Sequence, residues 1–213
     1  MPAVGRDSLI AATRKLVRTI PPGQITRLDI ARAAGVDPAL IRYYFGNKEA
    51  LLAAAVLEAG KEMRKRTRED SALANSPSDK LRRRMVALLE VLYEDPSLHH
   101  LIIEKIIHGH SKQMREFRHD MVHGSCKELA SIIEEGTHLG EMGPVDPRYL
   151  FLATIGACSF PMGERALFDE LMGREATRAD LEAYSHFVTE LFIHGLAAMS
   201  GKRKRKREVE AVL

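Results

Sequence analysis

Cysteine is scarce in this chain of 213 residues: Cys126 and Cys158 are the only two, too far apart for a metal-binding or redox spacing. Both are expected as reduced, buried thiols. No apolar run approaches the roughly 20 residues of a membrane-spanning helix. The longest, residues 51–57, stops well short, so no membrane partner is expected. The N-terminus reaches Arg6 and Asp7 without an apolar stretch, so no secretory leader is expected. Strand-like alternation of useful length is missing, and so is an internal repeat. No nucleophile–base pair and no complete ligand set stand out, so no catalytic residue, metal or cofactor is expected. What is left is an all-α, cytoplasmic protein of ordinary globular composition, 45% hydrophobic and 29% charged.

A net charge of only +3 conceals an uneven distribution. Residues 1–70 carry 13 Lys/Arg against 8 Asp/Glu, and residues 71–200 carry 13 against 19. The last 13 residues hold 6 against 2. A basic front joined to an acidic body suits a chain of which one part meets a polyanion.

The punctuation is that of consecutive helices. Pro21, Pro22 and Gly23 end a first helix over 7–20, with its apolar stripe on Leu9, Ile10, Thr13, Leu16, Val17 and Ile20. Thr26 and Asp29 form a capping box that opens a short helix closed by Gly35. Asp37 followed by Pro38 starts a third helix, to about Phe45. Asn47 caps a long fourth one over 48–68. A polar linker follows at 71–78, then helices at 79–93, 96–107, 111–137 and 147–160. Pro161 is expected to interrupt, a short helix to fill 162–172, and a second capping box, Thr177 with Asp180, to open the last helix. The run of six Lys and Arg at 202–207 is expected to be a disordered, solvated tail.

Two short helices joined through Gly35 make a helix-turn-helix, because the reversal needs a residue that tolerates positive φ. Spacing alone suits a DNA reader and a packing hairpin equally. The residues themselves say more. The stretch ITRLDIARAAGV at 25–36, continued without a gap by DPALIRYYFGNKEALL at 37–52, resembles the DNA-binding domain of the TetR family of transcriptional regulators. The match covers about residues 6–55, whereas beyond residue 70 only size and helical layout agree.

The resemblance implies a three-helix helix-turn-helix domain over 1–52, a helical bundle for ligand binding and dimerisation over 53–200, and the basic tail at 201–213. It implies a ligand-responsive regulator, a repressor released from a palindromic double-stranded DNA operator by a small hydrophobic effector. Ile30, Ala31, Ala34, Val36, Ile41 and Phe45 would form the core that fixes the helix pair. Pro38, Ala39, Leu40 and Tyr44 would face the major groove, and Tyr43 would reach a phosphate or base. Thr26, Arg27 and Lys48 would meet the backbone. Arg42 departs from the family, which often has an aromatic residue there; a phosphate contact is expected of it, with a guanine contact or a solvated side chain as the alternatives.

In the body, Met85, Leu89, Tyr93, His100, Ile103, Ile107, Met114, Phe117 and Met121 are the candidate lining of an apolar effector pocket. A plain core would look the same in any one of them. The 149–160 and C-terminal helices carry wide apolar stripes with Gly156, Ala157, Gly195 and Ala198. These suit an internal core as well as the homodimer interface that the resemblance implies. Six of nine histidines fall between His99 and His123. Two sets, His100 with Glu104 and His108, and His119 with His123, have i,i+4 spacing. The alternative reading, a helical metal-binding protein or enzyme, would use this cluster.

Overall fold

A computed structural model describes residues 4–94 and 101–210. Every regular element among them is helical: α1 (Val4–Leu16), α2 (Arg27–Ala34), α3 (Ala39–Phe45), α4 (Lys48–Ala72), α5 (Pro77–Glu94), a π-helical turn (Ile103–Ile107), α6 (Lys112–Leu139), α7 (Pro147–Gly163), α8 (Arg165–Met172) and α9 (Arg178–Glu210). The all-α class expected from the sequence is the class found.

The chain divides into two compact units. The first comprises Met1–Arg64 and Glu94–Arg118, the second Lys65–Tyr93 and His119–Leu213. In the first, Leu9 of α1, Val17 just after it, Ile30 of α2, Ile41 of α3 and Leu51 and Val56 of α4 are all but inaccessible. Their helical spacing turns each apolar stripe to a common centre, and burial of each side chain contributes about 1.5–3 kcal/mol. Lys105 of the π-helical turn sits 3.8 Å from Glu49 in the first turn of α4. The described part of this segment, residues 101–118, is thereby held to the N-terminal helices. Arg118 closes the π-helical turn by donating to the carbonyls of Ile107 and Gly109 at 3.0 and 3.1 Å.

In the second unit Leu81, Met85, Leu129, Leu150, Cys158 and Leu196 are buried. Burial pushes the Cys158 thiol up to about 12, so it stays neutral, as expected of a reduced core thiol. Polar ties run between the helices. Arg82 of α5 meets Glu190 of α9 at 2.9 Å, and Glu128 of α6 accepts from Arg84 at 2.7 Å and Arg68 Nε at 3.0 Å.

Two expectations are corrected. Pro161 does not break its helix, which continues to Gly163. A proline there leaves the Ala157 carbonyl without its usual donor four residues on. The hydroxyl of Tyr184 in α9 supplies one at 2.8 Å. The basic run, expected without order, lies within α9, which extends to Glu210. Lys, Arg and Glu are good helix formers, and the Thr177–Asp180 box starts the helix firmly.

Candidate nucleic-acid interface

The helix pair is fixed by local chemistry. Thr26 caps α2: its Oγ1 accepts from the Asp29 amide at 3.2 Å, while Asp29 Oδ2 accepts from the Thr26 amide at 2.9 Å. These bonds from Thr26 hold the Asp29 carboxyl below the usual carboxylate range. Gly35 closes α2 at φ 66°, and its amide and that of Val36 reach back to the carbonyls of Arg32 and Ala31. Asp37 Oδ1 then accepts from the Ala39 amide at 2.6 Å and opens α3. Gly46 ends α3 at φ 79°, and Asn47 caps α4 through the Ala50 amide at 2.8 Å.

The residues expected at DNA separate into two groups. Thr26, Arg27, Pro38, Ala39, Arg42 and Tyr43 are exposed. Tyr43 stands out to 78%, with its ring edge-on to Tyr44 at 4.9 Å. Neither Arg27 nor Arg42 has a side-chain partner among the described residues, so both guanidinium groups are available to an anion. Leu40, Tyr44 and Lys48 are half-buried. Leu40 and Tyr44 turn toward Gly5 in the first turn of α1, where a Cβ would come within 3.2 Å of Leu40 Cδ1 and 3.5 Å of the Tyr44 ring. They therefore brace α3 against α1 as much as they face outward.

Lys48 has a use that the sequence did not disclose. Its ammonium donates to the Ile25 carbonyl at 2.9 Å, tying the first turn of α4 to the residue before the α2 cap. An ammonium has three protons, so this bond leaves donors for a phosphate. Leu28, 62% exposed in the first turn of α2, was also missed. Its signal is its position between Arg27 and Asp29, on the far side of α2 from buried Ile30. Of the expected core, Ile30, Ala31 and Ile41 are buried, and Ala34, Val36 and Phe45 are half-buried. Arg6 lies over the Phe45 ring at 5.5 Å.

The residues expected to line a pocket are distributed between the units. Met85, Leu89 and Met121 are buried and Tyr93 half-buried in the second. Met114 is buried, Phe117 half-buried and Ile107 exposed in the first. His99 and His100 lie outside the described residues, as does the side chain of Ile103. A hollow of about 490 Å³ beside Ile133, Thr137, His138 and Pro147, and one of about 440 Å³ beside Arg18, Pro22, Leu101 and Glu104, involve none of them. The His119 and His123 rings lie with centroids 4.1 Å apart, tilted at 42°. Among the described residues no three His, Cys, Asp or Glu side chains gather as a metal site would require.

Residues 9–55 match the family described as bacterial regulatory proteins, tetR family. Residues 74–202, more than half the chain, match the tetracyclin repressor-like C-terminal domain. The chain belongs to the TetR family. The HTH-type transcriptional regulator BetI of Rhizobium meliloti (strain 1021) is 34% identical over 98 residues, a stretch spanning 44% of this chain and 46% of that protein. The chain thus covers about half the length of that curated relative. The fold recurs in FadR from Bacillus subtilis, solved in complex with stearoyl-CoA. That likeness has a TM-score of 0.67 at 24% identity and covers 89% of this chain and 98% of that one. A protein of unknown function from Rhodococcus sp. RHA1 shares it too, with a TM-score of 0.73 at 19% identity over 91% and 95% of the two chains. TetR-family membership makes this chain a helix-turn-helix regulatory protein. No helix among its described residues is long and apolar enough to cross a membrane.

Proposed function

We propose that this chain is a cytoplasmic, homodimeric repressor that sits on a palindromic operator and is released by a small hydrophobic effector. The observation that carries the reading is the surface of the helix pair: Arg27, Arg42 and Tyr43 project from it exposed, above a core that Ile30 and Ile41 close completely. Operator contact is assigned to residues 1–52, with Arg27, Arg42, Lys48 and Thr26 on phosphates. Pro38 and Ala39 meet base edges or thymine methyls, with Leu40, Tyr43 and Tyr44 beside them. Residues 53–200 take the effector and pair the protomers, and 201–213 add basic charge.

Dimerisation is supported by two exposed apolar stripes, Tyr149, Leu152 and Phe160 on α7 and Phe187 and Leu191 on α9. Effector response is supported by Lys105. It belongs to the stretch that matches the C-terminal domain, yet it contacts Glu49 at the start of α4, one residue from Lys48. A shift of the π-helical turn would reach the recognition helices through that pair. Ligand and operator would then oppose each other, each weakening the other by the same factor.

The test is a gel-shift titration of the full-length protein on DNA flanking its own gene, with a scrambled duplex as control. Salt-dependent binding of two protomers per site, lost on Tyr43→Ala, is the expected result. Equal affinity for the scrambled duplex would refute operator recognition.

A further inference from the structure

Besides that of Thr137 on α6, three buried hydroxyls in the second unit have no hydrogen-bond partner among the described residues: those of Thr154 on α7 and of Ser185 and Thr189 on α9. Their residues are 3%, 8% and 1% exposed, so solvent does not serve them. A helical Ser or Thr normally avoids this by bonding the carbonyl four residues back. Thr13 does so to Leu9 at 2.7 Å, and Ser159 to Ile155. These three do not.

They converge. The Tyr184 hydroxyl meets the Ala157 carbonyl, and the Gly143 amide, ahead of α7, meets the Leu196 carbonyl, so α7 and α9 run antiparallel. Thr154 precedes Ala157 by three residues, which places it about 4.5 Å further along α9 than Tyr184. It is then level with the turn between Ser185 and Thr189. Helix α5 brings Met85 and Leu89 toward the same stretch, since Arg82 is tied to Glu190. Met85 and Leu89 are buried.

We infer that Thr154, Ser185 and Thr189 form the polar end of the effector site and select a compound that is mostly apolar and ends in an uncharged hydrogen-bonding group, an alcohol or a primary amide. This rests on the effector reading above. Hydroxyls both donate and accept, which matches such groups. A carboxylate or phosphate would be stripped of water there without a cation, because Glu190, the nearest charged group on α9, is already held by Arg82. Methionine beside the hydroxyls suits a flexible hydrocarbon body.

The experiment is calorimetric titration of the full-length protein with n-decanol, decanamide and decanoate at neutral pH. It is repeated on Thr154→Val/Thr189→Val and on Ser185→Ala, which serves where the valine pair fails to fold. The alcohol and the amide are expected to bind about tenfold or more tighter than decanoate, and either variant to lose about tenfold for them. Decanoate binding as tightly as the alcohol, no binding of the neutral probes, or neutral binding unchanged in the variants would each overturn the assignment. The last result would leave the hydroxyls as hosts for a fixed water. A gel shift with the same probes and stearoyl-CoA separates the two readings. Operator release by a charged compound alone sinks the hydroxyl site and keeps the effector reading, whereas operator binding indifferent to all of them counts against the effector reading itself.

Discussion

Arg42 and Lys48 are both proposed to meet operator phosphates, yet their surroundings predict different losses. Arg42 is exposed and makes no side-chain bond, so Arg42→Ala should leave the melting temperature within about a degree. It should weaken all duplexes alike and lower the slope of log affinity against log salt by about one. Lys48 is only 24% exposed and donates to Ile25, so Lys48→Ala should cost roughly 1–2 kcal/mol of stability in addition to the lost DNA contact. Thermal melts and salt titrations of both variants check this; equal melts would remove the structural role of Lys48. Residues whose partners lie within four positions were legible in the sequence, as both capping boxes were. The bond from Lys48 to Ile25 joins residues 23 apart, and the bracing of Leu40 and Tyr44 by Gly5 spans more. No periodicity encodes either.

Between elements, the ties concern carbonyls and carboxylates that one helix leaves for another to satisfy. Pro161 reads as a stop because its own segment offers no replacement for the missing amide. The replacement, Tyr184, belongs to a helix that begins seventeen residues later. Tyr184→Phe should cost about 1–2 kcal/mol in chemical denaturation. In a Pro161→Ala background the backbone amide returns, and the same change should cost about half as much or less. Equal costs in both backgrounds would show that the hydroxyl does not compensate for the proline. Glu128 makes a second such tie. Burial pushes its carboxyl up, but hydrogen bonds from Arg68 and Arg84 outweigh that and hold it below its ordinary 4.5. A depressed carboxylate contributes stability above its ordinary value and loses it as pH falls through the folded value. Stability should therefore decline as pH drops below about 4.5. Glu128→Gln should be about 2 kcal/mol weaker at neutral pH and less sensitive to acid, as urea titrations at several pH values would reveal. An acid response identical to the parent protein's would exclude this carboxylate.

At the scale of the whole molecule, the helix count was legible because caps, prolines and glycines punctuate the sequence. The grouping of Glu94–Arg118 with the N-terminal helices was not, since it depends on tertiary pairs such as Lys105 with Glu49. Nor could the stripes on α7 and α9 be sorted into core or interface from sequence, for each helix has both. Leu150, Thr154 and Cys158 face inward, while Tyr149, Leu152, Gly156 and Phe160 face outward; α9 likewise buries Leu181, Val188 and Leu196 and exposes Phe187, Leu191 and Gly195. So much exposed hydrocarbon on adjacent helices supports the dimer contact proposed for them. Gly156 allows a test that spares the protomer. A Cβ there would touch nothing within 4 Å, and a helical Gly replaced by Leu gains roughly 0.5–1 kcal/mol in propensity. Gly156→Leu should therefore melt no lower as a protomer while pushing a partner's helices apart. Sedimentation velocity should show the dimer shifted to monomer at micromolar concentration. Operator affinity should fall by more than about tenfold, because one helix-turn-helix then binds without a second half-site. A variant that remains dimeric and binds the operator normally would place the interface elsewhere on the molecule.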